Sequence, residues 1–249
     1  MRQINGPNGI RWYIYFVAGD NNYNDFSDLR VHVLESAGND PMGPYTYKAQ
    51  FQTNGYAIDG TVEYIGNQLY ALWAGSSSNG NAVYIAPLSN PWTLANAGTL
   101  ISQATLPWER DLNPVNEGPQ VLKRNGKTYV LYAASDCASP SYAMGMLTLT
   151  NPGNVTAASS WSKAQNPVFV RNDAAGAYGP GFPGAFFKSP DGSEDWLLYH
   201  AKPNSGSGCG SDRSVRAGRF AWNSDDTPNF GVPMSTGTNI PLPSGDTGQ

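Results

Sequence analysis

The chain has 249 residues, of which 14% are charged and 12% aromatic, with 28 glycines, 19 prolines and a formal net charge of −4. No basic run is present to neutralise phosphates, which excludes a nucleic-acid-binding surface, and no stretch approaches the ~18–20 apolar residues that span a bilayer. Few charges with many turn formers, tyrosines and tryptophans predict short strands and tight turns, in a single domain over residues 1–249 large enough to bury a core. The opening residues, Met1–Gly6, hold no apolar run of the kind a signal peptide needs.

In chain order, one pattern returns four times. Ile4-Asn5-Gly6 leads to Trp12–Gly19; Tyr64-Ile65-Gly66-Asn67 leads to Leu69–Gly75; Lys123–Gly126 leads to Tyr129–Ser135; Ser189-Pro190-Asp191-Gly192 leads to Trp196–Ala201. Each is a strand, a Gly/Asn or Asp turn and a strand of alternating aromatic and aliphatic residues, which predicts a β-hairpin. Aligned on Tyr15, Trp73, Tyr132 and Tyr199 they recur after 58, 59 and 67 residues. Further strands are predicted after the hairpins at 29–34, 82–86 and 142–147. About four strands in roughly 60 residues make a propeller blade, so the fold class is an all-β propeller; the competing architecture is a two-sheet sandwich, which does not restart one hairpin at a near-constant period.

Ahead of the later hairpins stand Asp59, Glu117 and Phe182, which precede their aligned aromatics by 14, 15 and 17 residues. In a propeller, equivalent positions converge at one mouth. Two carboxyls brought together would push one protonation equilibrium upward, and glycoside hydrolysis uses such a pair, one donating a proton to the leaving oxygen. The plainer readings are a turn at Asp59-Gly60 and, for Glu117, a carboxylate capping backbone N–H groups. The two cysteines, Cys137 and Cys209, have no zinc-site spacing; they fall in loops leaving the same strand end of neighbouring blades and form a disulfide or remain two free thiols. Asn154-Val155-Thr156 is a glycosylation triplet of a kind that chance produces often.

Tyr56–Gly60, Asn116–Gln120, Gly179-Pro180-Gly181 with Ser189–Gly192, Tyr199-His200-Ala201 and Thr227–Pro233, taken as an ordered set, resemble glycoside hydrolase family 43 across essentially the whole chain. The resemblance is greatest to its α-L-arabinofuranosidases: five-bladed, inverting, secreted enzymes that act on plant cell-wall arabinan or arabinoxylan, without a cofactor. It implies Glu117 as general acid, Asp59 as the carboxylate that tunes and orients it, and Arg216 close to the acid. Trp108, Tyr178, Phe182 and Trp73 would border the sugar. A monomer is implied, with β-xylosidase and endo-arabinanase as alternatives within the enzymes. A non-catalytic carbohydrate-binding propeller and a protein-interaction propeller are the alternatives from other classes.

Three departures accompany the resemblance. The sequence presents about four blades, lacking the first, and no aspartate within residues 1–50 stands in the context of the family's general base; Asp20, Asp25 and Asp28 fall in a polar loop. Phe182 replaces the histidine of a Gly-Pro-Gly-His motif, so no metal or water-held ion is expected from that position, and His32 and His200 are expected to be structural. Gly218 takes a place more often held by glutamine, a minor change.

Overall fold

The computed structural model describes residues 1–19 and 26–248; Asp20 and Asp25 lie outside the described residues, while Asp28 is within them. The chain is all-β, and its strands form four antiparallel sheets of the kind that make propeller blades. The first contains β1 (Arg2–Gly6), β2 (Gly9–Ala18), β3 (Arg30–Ser36) and β4 (Tyr45–Gln50). The second contains β5 (Ala57–Ile65), β6 (Gln68–Ser77), β7 (Gly80–Asn90) and β8 (Thr93–Leu94), with β9 (Thr99–Gln103) also on β7. The third contains β10 (Asn116–Arg124), β11 (Lys127–Ala134), β12 (Ala143–Leu149) and β13 (Trp161–Lys163); the fourth, β14 (Pro183–Lys188), β15 (Asp195–Ala201), β16 (Ser214–Trp222) and β17 (Pro228–Asn229).

These sheets fall into two compact units, residues 1–103 with 150–161, and residues 104–149 with 162–249. In the first unit the alternating residues of the hairpins meet in a core that includes Tyr13, Val31, Phe51, Val62, Trp73 and Leu88. In the second, Tyr129, Leu131, Met144, Phe169, Tyr199 and Phe220 do the same. Burying a large apolar side chain is worth about 1.5–3 kcal/mol, so the aromatic alternation that reveals the repeat also holds each unit together.

The turns follow the sequence at Gly66-Asn67 and at Asn125-Gly126, where both φ values are positive (45° and 79°) as a type I′ hairpin requires. The first hairpin differs. Asn5 and Gly6 belong to β1, paired with Ile10 and Gly9, and the chain reverses one step later at Pro7-Asn8. Two contacts account for this shift. Asn8 Nδ2 reaches the Glu35 carboxylate at 3.1 Å, and a Cβ on Gly6 would stand 2.9 Å from the Tyr13 hydroxyl and 3.0 Å from Pro91.

The first strand of each later sheet carries a register shift of the β-bulge kind. Pairing slips between Ile58 and Thr61 on β5, between Glu117 and Gln120 on β10, and between Pro183 and Ala185 on β14. Bulges re-aim side chains and are common beside active sites.

Candidate active site

The register refines which residues are equivalent. Ile58 pairs with Ala74, next after Trp73; Glu117 pairs with Ala133, next after Tyr132. Glu117 therefore corresponds to Ile58, and Asp59 corresponds to Gly118, one step into the bulge. The offsets of 14 and 15 in the sequence reflect that one-residue difference. Asp59 has φ 55° and Gly118 φ 59°, the left-handed region that glycine enters without cost. Asp59 is half-buried, and the next residue permits a close strand approach, since a Cβ on Gly60 would lie 2.6 Å from Val31 Cγ2.

Glu117 is half-buried, and three aromatic rings line up beside it. The buried Tyr142, in the loop entering β12, donates its hydroxyl to Glu117 Oε1 at 2.8 Å. The Tyr142 ring stacks on His200 (centroids 6.5 Å apart, planes 6° apart), and His200 stacks on Phe182 (5.6 Å, 18°). Phe182 closes the row against the residue after Glu117: a Cβ on Gly118 would come within 2.6 Å of Phe182 Cε2. Phe182 thus packs along this row of rings.

Glycines of the Gly179-Pro180-Gly181 turn serve close backbone contact. A Cβ at Gly181 would lie 2.6 Å from Ala143 N, and one at Gly179 would lie 2.9 Å from Lys202 Cε; Gly179 N–H donates to Pro140 O at 2.9 Å. The turn thereby seats the loop that carries Tyr142.

His200 is lowered to about 4, first by burial and then by the positive charges of Arg213 and Lys202, so its ring is neutral at neutral pH. Its Nε2 lies 3.4 Å from Arg213 Nη1, and its Nδ1 is buried without a hydrogen-bond partner among the described residues. His32 makes ordinary bonds on β3, to the Tyr47 hydroxyl (3.1 Å) and Ala18 O (3.2 Å).

Arg216 is buried on β16 opposite Tyr199. Its guanidinium donates to Gly176 O at 3.0 Å, to Met234 O and to Ser214 Oγ at 3.2 Å, which are loop and strand groups. Trp73 takes a different place from the one expected. It is 2% exposed, stacked on Tyr84 at 5.8 Å, with Gly98 against its ring, so it belongs to the core and offers no open face to a sugar.

Trp108, in contrast, is half-buried and donates Nε1–H to Gln165 O at 2.9 Å. It lines a largely apolar groove of about 490 Å³ with Asp111, Ser141, Ala143, Pro167, Val170 and Arg171. Ser141 and Ala143 flank Tyr142, so one loop serves both the groove and the Glu117 carboxylate. Tyr178, half-buried, exchanges backbone hydrogen bonds with Lys202 at 3.0 and 2.8 Å.

Two features escape a reading of the sequence. Glu109, adjacent to Trp108, is fully buried. Its Oε1 accepts from Asn116 Nδ2 (3.1 Å), the Tyr132 hydroxyl (2.8 Å) and Lys163 Nζ (2.8 Å); its Oε2 accepts from the N–H groups of Thr105 and Leu106 (both 2.8 Å) and from Lys163 Nζ (3.0 Å). Burial pushes this carboxyl up, but Lys163 and the two N–H groups outweigh it and hold the group below the usual carboxylate range. It is a structural anion whose lone pairs are occupied. Lys202 is the cationic counterpart: 1% exposed, its ammonium donates to the carbonyls of Cys137 (2.9 Å), Ala138 (2.9 Å) and Ser139 (2.7 Å). Cys137 itself is joined to Cys209 by a disulfide. The cluster of Asp136 with those two sulfurs is the one group of three potential metal-ligating side chains among the described residues, and its sulfurs are committed to that bond.

Comparison with known proteins places this geometry in context. Residues 3–228 match the family described as glycosyl hydrolases family 43. The chain is 37% identical over 237 residues to an extracellular exo-alpha-(1->5)-L-arabinofuranosidase of Streptomyces avermitilis, covering 91% of this chain and 48% of that protein. It is also 37% identical over 238 residues to alpha-L-arabinofuranosidase 43 of Humicola insolens, again covering 91% and 48%. The chain thus spans about half the length of these curated relatives. Among solved structures, an alpha-L-arabinofuranosidase from Lactobacillus brevis superposes with a TM-score of 0.83 at 33% identity, over 92% of this chain and 74% of that one.

Proposed function

Given that this chain belongs to glycosyl hydrolases family 43, we propose that it acts as an α-L-arabinofuranosidase, cleaving arabinofuranosyl groups from arabinan or arabinoxylan with inversion. The observation that carries this reading is the placement of Glu117. It is a half-buried carboxyl on a bulge, with one oxygen held by the Tyr142 hydroxyl and an aromatic row beside it. A glycosidase needs a carboxyl of this sort to protonate the departing sugar oxygen as the glycosidic bond breaks. Glu109 is ruled out of that role by its occupied lone pairs.

Asp59 is proposed as the carboxylate that tunes and orients Glu117, supported by its acidic side chain at a backbone position that favours glycine. The Trp108 groove supports sugar binding, since a flat indole beside Asp111 and Arg171 offers an apolar face together with polar groups. Arg216 is supported by the resemblance alone. The relative of Streptomyces avermitilis is named extracellular, and secretion is proposed for this chain on that basis, as is a monomeric state from the family resemblance.

The test is release of arabinose from arabinobiose, whose departing sugar oxygen needs protonation, by the wild type and by Glu117→Gln. A wild-type rate well above that of the variant supports the enzyme. Equal rates overturn it, and retention on arabinan in affinity electrophoresis would then favour a sugar-binding propeller.

A further inference from the structure

We propose that Tyr142 is the positioning residue of the acid, fixing which oxygen of Glu117 carries the transferable proton, and that His200 and Phe182 hold Tyr142 in place by stacking. This rests on Glu117 being the proton donor. A phenolic O–H pointing at Oε1 makes that oxygen the acceptor, so in the protonated carboxyl the hydrogen resides on Oε2. When Oε2 gives up its proton, Tyr142 donates to a full carboxylate, and a hydrogen bond to a charged acceptor is roughly twice as strong as one to a neutral acceptor. The bond therefore strengthens as charge develops, which is where a contact speeds the step.

The ring geometry shows how the hydroxyl is kept on target. Tyr142 is 1% exposed and lies parallel to the His200 imidazole, which lies nearly parallel to Phe182. Phe182 is in turn packed close to Gly118, the residue after Glu117, where a Cβ would come within 2.6 Å of the ring. The row thus begins on the Glu117 carboxylate and ends beside Gly118, the next residue of the same strand. His200 suits the middle place because its ring is neutral, so it adds no positive charge that would favour the carboxylate over the proton-bearing carboxyl. The charged and titratable groups at this row are Glu117 on β10, Tyr142 before β12, His200 on β15, Lys202 just after β15, and Arg213 before β16, whose Nη1 lies 3.4 Å from His200 Nε2.

Two readouts test the proposal. The first does not require turnover: the carboxyl of Glu117 is followed by NMR through a pH titration, its signal assigned by its disappearance in Glu117→Gln. Removing a donor that favours the carboxylate should move the midpoint upward by about one pH unit in Tyr142→Phe, with a smaller rise in His200→Ala and none in the ring-preserving His200→Phe. An unchanged midpoint in folded Tyr142→Phe overturns the proposal.

The second compares leaving groups. Glu117→Gln and Tyr142→Phe should lose most activity on arabinobiose, whose sugar oxygen needs protonation, and little on a 4-nitrophenyl arabinofuranoside, which leaves without it. The expected kcat loss for Tyr142→Phe on the disaccharide is about 10-fold. A merely structural role would lower both substrates equally and would also overturn the proposal. If Glu117→Gln itself shows no difference between substrates, the assignment of the acid fails, which is a separate outcome.

Discussion

Asp59 occupies in its blade the bulge position that Gly118 occupies in the next, with φ 55° and 59° respectively. A left-handed backbone costs a non-glycine residue roughly 1 kcal/mol, less for Asp or Asn, and such costs cluster at functional sites. Asp59→Gly should therefore raise stability by a few tenths to about 1 kcal/mol while lowering arabinose release by roughly 10²-fold or more. Asp59→Asn, which tolerates the same φ, should unfold at nearly the wild-type temperature and be as impaired as the glycine variant. Thermal unfolding beside the rate assay checks both, and a loss of stability in Asp59→Gly would show that the carboxylate is there for the fold.

Gly118 should resist replacement for two reasons that add. A side chain there would be strained at φ 59° and would meet the Phe182 ring at 2.6 Å. Gly118→Ala is expected to cost at least about 1–2 kcal/mol, read by urea denaturation. Phe182→Ala in the same background should recover the steric share and leave the backbone share.

Two glutamates eight positions apart should respond in opposite ways. Glu109 is buried with Lys163, and removing one member of a buried pair leaves the other charge uncompensated, at about 3–5 kcal/mol. Glu109→Gln should therefore lower Tm by roughly 10 °C. Glu117→Gln keeps the shape and an acceptor for Tyr142, so its Tm should stay within a few degrees while activity falls. Equal thermal losses would make Glu117 a second structural anion.

Composition and the returning hairpin were enough to read the blades, because the inward residues of each strand are the large apolar ones and repeat at a visible period. The bulges were not legible. Offsets of 14 and 15 look like loose spacing, and only the pairing of Ile58 with Ala74 and Glu117 with Ala133 shows that Asp59 matches Gly118. Trp73 misled for a related reason: a tryptophan in an alternating strand carries no mark of which side it faces, and here Tyr84 and Gly98 enclose it. Glu109 and Lys202 were silent because their partners, Lys163 and the carbonyls of 137–139, are 54 and more than 60 residues away. Gly179-Pro180-Gly181 signalled correctly that a backbone passes close by.

His200 gives the fold an acid-sensitive point. Its folded-state value is about 4, below the ordinary 6.5, chiefly through burial. The unfolded chain therefore takes up the proton first as pH falls. Stability from this group is fully present above about pH 6.5 and is lost as the pH drops toward 4. His200→Phe, which keeps the ring and cannot titrate, should flatten the Tm profile across that window. An identical profile in the variant would assign the acid loss to other groups.

The Cys137 loop is held twice, by its disulfide to Cys209 and by the Lys202 ammonium on the carbonyls of residues 137–139. Closing a 72-residue span corresponds by loop entropy to about 4 kcal/mol, acting mainly on the unfolded chain. Lys202→Met removes the donor from three carbonyls and should cost about 2–4 kcal/mol. The two devices share one loop, so their effects should not add. Once the bond is absent the loop can open and rehydrate its carbonyls, and Lys202→Met should then cost less in the Cys137→Ser/Cys209→Ser background than in the wild type. A double-mutant cycle by urea denaturation measures this, and a coupling below about 0.5 kcal/mol would show that the ammonium and the disulfide stabilise the chain independently.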